Sequence, residues 1–215
     1  MVQGLSSRRL NARSTGGEEY EKKRKAIVAA AAAIFREKGF AAANGDDIAK
    51  KAKMDRASLY YYYAGKQEIF RDMVGEAVTD NVLMAEEIGG SADAPATKLK
   101  RLIEGLFSSY VRHYPYLFVF VQEEMARLTK DKSSWSATMR RLDKRFDDAV
   151  VKIIQNGIDD GSLITAGDAR LTANGIIGMC NWSHRWFDPG KGYPGEKVAA
   201  AFSDLILRGL TAKSG

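Results

Sequence analysis

Cap and turn residues cut the stretch 18–66 into three short segments, and each segment has helical spacing only. From Glu18, the apolar side chains Ile27, Ala30, Ala31, Ile34 and Phe35 recur at three- and four-residue steps, while Lys22, Lys23, Arg24, Lys25, Arg36 and Lys38 fill the rest of the cylinder. The run Ala29–Ala33 favours this helix and Gly39 stops it. Asn44 can cap a second helix, with Asp46 and Asp47 at its positive end and Ile48-Ala49 as its apolar contact, ending near Lys53-Met54. Asp55 caps a third, from Arg56 to about Tyr62, which Ala64-Gly65 breaks before Lys66 opens a longer one. Three short helices with a tight turn between the last two describe a helix-turn-helix unit.

Charge follows the same division. Residues 1–66 hold 14 Lys and Arg against 7 Asp and Glu, a net of +7, whereas the remainder holds 19 against 20, a net of −1. A basic segment joined to a neutral one implies an anionic partner for the first and a separate task for the second. Residues 1–17, with Arg8, Arg9, Arg13 and Gly16-Gly17, read as a flexible basic arm that attracts phosphates weakly or enters a minor groove. Residues 18–66 form the helix-turn-helix domain and 67–215 a larger one. Beyond a connector at Gly89–Pro95 the patterns are again helical: about Thr97–His113, Pro115–Leu128, Ser133–Asp160, Asp168–Phe187 and Gly195–Ala212. No strand alternation of useful length occurs. The fold expected is all-α with two domains.

The order Phe35, Gly39-Phe40, Asp47-Ile48-Ala49, Ala52, Met54-Asp55, Ser58-Leu59-Tyr60-Tyr61-Tyr62-Tyr63, Lys66 resembles the DNA-binding domain of the TetR family of bacterial transcriptional regulators. The spacing holds without gaps over most of residues 24–70. The chain departs from the family pattern at several positions. Ala43-Asn44-Gly45 replaces the Thr-rich opening of the second helix, and Lys53 stands at the turn glycine. Asp55 replaces the capping Ser, Ala57 the glycine of the third helix, and Tyr63 the closing Phe. Asn44 and Asp55 keep capping chemistry. Lys53 pays for a left-handed backbone if the turn retains its usual form.

Leu59 and Tyr63 lie four apart and should pack inward on Phe35 and Ile48, leaving Arg56, Ala57, Ser58, Tyr60, Tyr61 and Tyr62 toward solvent. Exposed tyrosines suit DNA, where hydroxyls reach phosphates and rings touch thymine methyls, and Arg56 can bond guanine. The other account of these tyrosines is packing on neighbouring side chains. Lys66 at a helix start suits a phosphate. With Asn44 and Asp55 at the helix starts, these residues make the expected DNA-binding set.

The resemblance implies that residues 67–215 bind an effector and dimerise. Leu102, Leu106, Phe107, Tyr110, His113, Phe118, Met125, Trp135, Met139, Leu142, Phe146 and Trp182 are the candidates for an apolar pocket, since dense Tyr, Phe and Met with few polar anchors suit a small-molecule site. Gly175 and Gly178 allow close helix approach, and with Met179, Trp186, Phe202, Leu205 and Ile206 they make a candidate homodimer face; in the family the last two helices form a four-helix bundle about a two-fold axis. A dimer also follows from the DNA, because one short helix reads too few bases and paired half-sites of a double-stranded operator need two. Gly178–Phe187, with Asn181-Trp182 and Arg185-Trp186-Phe187, is similar to a TetR subgroup of fatty-acid and steroid catabolism repressors released by acyl-CoA thioesters. The CoA phosphates would need cations, for which Arg101, Arg140, Arg141, Lys144 and Arg145 are candidates. Trp182 and Trp186 equally suit a core or interface stripe.

Two other readings stay open: a nonspecific nucleic-acid-binding helical scaffold, and an all-α enzyme acting on an apolar substrate. The second has little to work with. His113 and His184 lie in separate helices, and adjacent pairs such as Asp147-Asp148 point in different directions. No metal-ligand spacing, phosphate loop or nucleophile elbow occurs, so no metal or cofactor is expected. The single Cys180 sits among apolar residues and is expected to be inert. No apolar stretch approaches a membrane span and no signal-peptide core follows Met1, which makes a cytoplasmic protein the expectation.

Overall fold

The computed structural model describes residues 17–121 and 133–210, the side chain of Phe118 excepted. The basic arm with Arg8, Arg9 and Arg13, and the pocket candidates Met125 and the Phe118 side chain, lie outside these. The described chain is helical: α1 Glu18–Ala42, α2 Gly45–Lys51, α3 Arg56–Tyr62, α4 Lys66–Gly90, α5 Pro95–Arg112, α6 Tyr116–Val119, α7 Ser134–Asp159, α8 Ala169–Trp182, a 3₁₀ turn Ser183–Arg185, and α9 Gly195–Leu210. Among the described residues no strand forms beyond one bridge between Asp188 and Lys191. No described helix is long and apolar enough to cross a membrane.

Several helix ends follow from cap and turn residues close by in sequence. Gly39 adopts φ 79° and ψ 156°, which interrupts α1 before its last turn, a conformation open to glycine because it has no Cβ. Ser133 caps α7 by accepting the Ser136 N–H, and Asp168 caps α8 by accepting the Leu171 N–H at 2.7 Å. Pro95, expected in the connector, instead opens α5 two residues early, at a first-turn position where its missing N–H costs nothing. The α8 helix stops at Trp182, short of the expected Phe187, because the chain tightens there into the 3₁₀ turn.

Two compact units result, one ending at Gly75 and one beginning at Glu76. The boundary falls inside α4, not at Lys66. The start of α4 belongs with the three short helices because Ile69 and Phe70 are buried there, Phe70 lying 4.8 Å from the Phe40 ring. Asp72 also accepts from the Tyr63 hydroxyl at 2.6 Å and pairs with Arg24. The core of the smaller unit is Ile27, Ala31, Ile34, Phe35, Ile48, Leu59 and Tyr63.

In the larger unit α5 supplies one buried stripe, Leu99, Leu102, Ile103, Leu106, Phe107 and Tyr110, packed with Val150, Ile153 and Ile154 of α7 and Val198, Ala199 and Ile206 of α9. Each such side chain contributes roughly 1.5–3 kcal/mol by leaving water. Phe107 is the hub of an aromatic cluster, with Tyr110, Phe187 and Phe202 ring centres 5.5, 5.9 and 5.2 Å away.

Candidate functional site

The turn between α2 and α3 is built on caps. The Asn44 side chain accepts the Asp47 N–H at 2.9 Å. Asp55 accepts the Ser58 N–H at 2.8 Å and the Ser58 hydroxyl at 2.7 Å, which hold its carboxyl below the usual range. Lys53 takes φ 56°, the only left-handed non-glycine among the described residues, at a cost of about 1 kcal/mol relative to glycine. Backbone bonds from Lys53 N–H to Lys50 C=O and from Met54 N–H to Ala49 C=O close the turn.

With Leu59 and Tyr63 buried, Arg56, Ala57 and Tyr61 are exposed and Ser58 and Tyr60 half-buried. Arg56 is already organised. Its guanidinium donates to Asp46 at 3.0 Å and to the Tyr60 hydroxyl at 3.4 Å, and lies 5.4 Å over the Tyr60 ring. Nothing in the sequence pointed to Asp46, which stands ten positions away on the preceding helix. The pair is exposed, so its ties are weak enough to exchange for another partner. A cleft of about 330 Å³ runs beside α3, lined by Lys23, Lys53, Ser58 and Tyr61 among others. Two lysines there suit phosphate oxygens.

Two expected DNA contacts are used differently. Tyr62 is half-buried, its ring 4.9 Å from that of Tyr20. Lys66 is spent on the fold: its ammonium donates to the carbonyls of Phe40, Ala41 and Ala43 at 2.8, 2.8 and 2.9 Å. Those carbonyls lie at the end of α1 and in the turn after it, where the extended backbone at Ala43 leaves no following helical N–H to partner them. An ammonium has three donors and all are used, which leaves none for a phosphate.

In the larger unit a cavity of about 310 Å³ lies among α4, α5, α7 and α8. Of the expected pocket residues, Leu106, Tyr110, Met139 and Phe146 line it. The others do not. Leu102 and Leu142 are core, and Phe107 is the aromatic hub. His113 sits 2.7 Å from the Tyr116 hydroxyl, with burial pushing its pKa below the usual value. Trp135 stacks edge-on to Phe120. Trp182 is 62% exposed beneath the Arg185 guanidinium. Helical spacing could not separate cavity from core, since both occupy the apolar side of the same helices.

The cavity wall has polar members that apolar periodicity does not reveal: Asn81, Asp143, Asp147, Asn174 and Asn181. Tyr110 donates to Asn181 Oδ1 at 2.7 Å, and burial keeps its phenol far above its ordinary pKa, hence protonated. Loss of hydration raises the Asp143 carboxyl, and raises that of Asp147 with help from the Asp143 charge. Cys180 is fully buried, its thiol pushed up to about 12, as expected for an inert residue.

The candidate dimer face is divided in the same way. Gly175 and Gly178 have open space where a Cβ would stand, and Met179, Trp186 and Leu205 are exposed, as is Leu171. Ile206 is instead core, and Phe202 packs on Phe107 and Trp186. Gly178 also lines the cavity.

Comparison with known proteins agrees with this geometry. Residues 27–73 match the family model "Bacterial regulatory proteins, tetR family", and residues 92–210 match "Tetracyclin repressor-like, C-terminal domain". The HTH-type transcriptional repressor KstR2 of Mycolicibacterium smegmatis is 26% identical over 83% of this chain and 86% of its own. The structure of the ketosteroid transcriptional regulator KstR2 of Mycobacterium tuberculosis superposes with a TM-score of 0.74 at 25% identity, covering 88% of this chain and 95% of that one. FadR of Bacillus subtilis, solved in complex with stearoyl-CoA, shares the fold at a TM-score of 0.66 and 21% identity, over 86% of this chain and 98% of that one. A capped helix-turn-helix and a helical second unit, each matched by its own model, place the chain in the TetR family of bacterial transcriptional regulators.

Proposed function

We propose that the protein is a transcriptional repressor that binds a pseudo-palindromic operator as a homodimer and is released by an acyl-CoA thioester. The observation that carries the proposal is α3 itself, capped at Asp55 and offering Arg56, Ala57 and Tyr61 to solvent on a basic unit. A helix of this length reads few base pairs, so two copies are needed. The exposed Leu171, Met179, Trp186 and Leu205, around glycines open to close approach, supply an apolar face for the second copy. The cavity is at the small end of the range for drug-sized ligands and mostly apolar, which suits an acyl group. The stearoyl-CoA complex of a fold neighbour supports the thioester class. Such a ligand acts only if it binds the DNA-incompetent state better than the DNA-bound one.

Fluorescence anisotropy on DNA flanking the protein's own gene tests this. Specific binding should exceed binding to random duplex by at least ~10³-fold. Arg56→Ala and Tyr61→Ala should each cut that ratio by roughly 10-fold or more. An acyl-CoA panel should release the complex without being hydrolysed. If both variants left the ratio unchanged, α3 would not be the reading element, and the protein would be a nonspecific scaffold. Turnover of the thioester would point to an enzyme.

A further inference from the structure

The cavity of the larger unit has an electrostatic character that its apolar walls conceal. Asp143 and Asp147, one turn apart on α7, both line it, and no Lys, Arg or His does among the described residues. Neither carboxylate has a hydrogen bond to a described residue. Asp148, next in sequence, is by contrast satisfied by Lys144 and Arg170 outside the cavity. Ionised carboxylates can only accept hydrogen bonds. The donors on the wall are amides: Asn81, Asn174 and Asn181, the last with its oxygen already engaged by Tyr110 and its NH₂ left to donate.

We infer that this cavity seats an uncharged apolar group bearing a hydroxyl and rejects free carboxylic acids. A carboxylate brought among these groups would meet two like charges with no cation in the cavity wall beside it, Arg170 and Lys144 acting on Asp147 only from outside. An alcohol would donate to Asp143 or Asp147 and lose little hydration. A carbonyl would find donors in the amides. The inference rests on the reading of this cavity as the effector site and narrows it: an acid could enter only after its charge was removed, as in a thioester, and a hydroxylated acyl group would be favoured over a plain one.

The test is direct binding to the full-length protein, followed by tryptophan fluorescence at pH 7.5. The probes are 1-decanol, decanoate and decylamine below their aggregation limits. Decanol should bind on the order of 10-fold or more tightly than decanoate. In Asp143→Asn, Asp147→Asn and the double variant that gap should close mainly through tighter decanoate binding, a gain that misfolding cannot produce. Decanoate binding as well as decanol to the wild type would overturn the inference. So would a preference for decylamine that the Asn variants abolish, which would make this a cation site. The readout does not involve DNA. Discrimination without operator release by acyl-CoA would sink the repressor reading alone, and release without discrimination would sink only this inference.

Discussion

Replacing Lys66 by Met tests whether this residue holds the fold or holds DNA. Its ammonium bonds three carbonyls, those of Phe40, Ala41 and Ala43, and lies 5.0 Å over the Phe40 ring. Hydrogen bonds to a charged group contribute roughly 1.5–3 kcal/mol each. Three on one ammonium do not add, because the charge is desolvated once, and the Ala41 bond is exposed. A net loss of about 3 kcal/mol is the working figure. For a chain of this size that lowers the melting temperature by roughly 6–12 °C. Thermal melting of Lys66→Met by circular dichroism reads it directly. Lys66→Arg separates the two roles further: a planar guanidinium cannot converge on three carbonyls as a tetrahedral ammonium does, yet it binds phosphate well. Both variants should melt early. If Lys66→Met melted with the wild type while DNA binding weakened and its salt slope fell by about one, the residue would be a phosphate contact and the structural reasoning refuted.

Tyr63→Phe removes a buried hydroxyl that donates to Asp72 at 2.6 Å and accepts from Arg24 at 3.3 Å, and should cost ~1–3 kcal/mol in urea denaturation. An unchanged midpoint would mean that Arg24 and Asp72 re-pair without loss. Lys53→Gly relieves the left-handed backbone at φ 56° and should stabilise by about 0.5–1 kcal/mol after the extra entropy of the unfolded chain is counted, again by melting temperature. Leu205→Asp places a charge on the exposed apolar face of α9, where the residue is 61% exposed, and should give monomers by sedimentation equilibrium while leaving the monomer folded. A dimer as tight as the wild type would move the interface elsewhere.

Local chemistry was legible in the linear sequence because its causes lie within a few residues. Gly39, Asn44, Asp55, Ser133 and Asp168 end or begin helices through bonds to the backbone three or four positions away, and the strained turn at Lys53 follows from a side chain where glycine would sit freely. The alternation of apolar and polar positions set the helical class and the inward face of α3. What the sequence could not divide was the use of each apolar or charged side chain once helices packed together. Phe107 and Tyr110 share a stripe and an aromatic cluster, yet only Tyr110 reaches the cavity among α4, α5, α7 and α8, since only the neighbouring helices decide where space remains. Asp46 reached Arg56, and Lys66 reached the carbonyls of Phe40, Ala41 and Ala43, across 10 and 23–26 positions. Charge in the sequence foretold a basic reading unit; tertiary structure decided which of its cations remain available to read, because a donor already bonded to the protein's own backbone has nothing left for DNA.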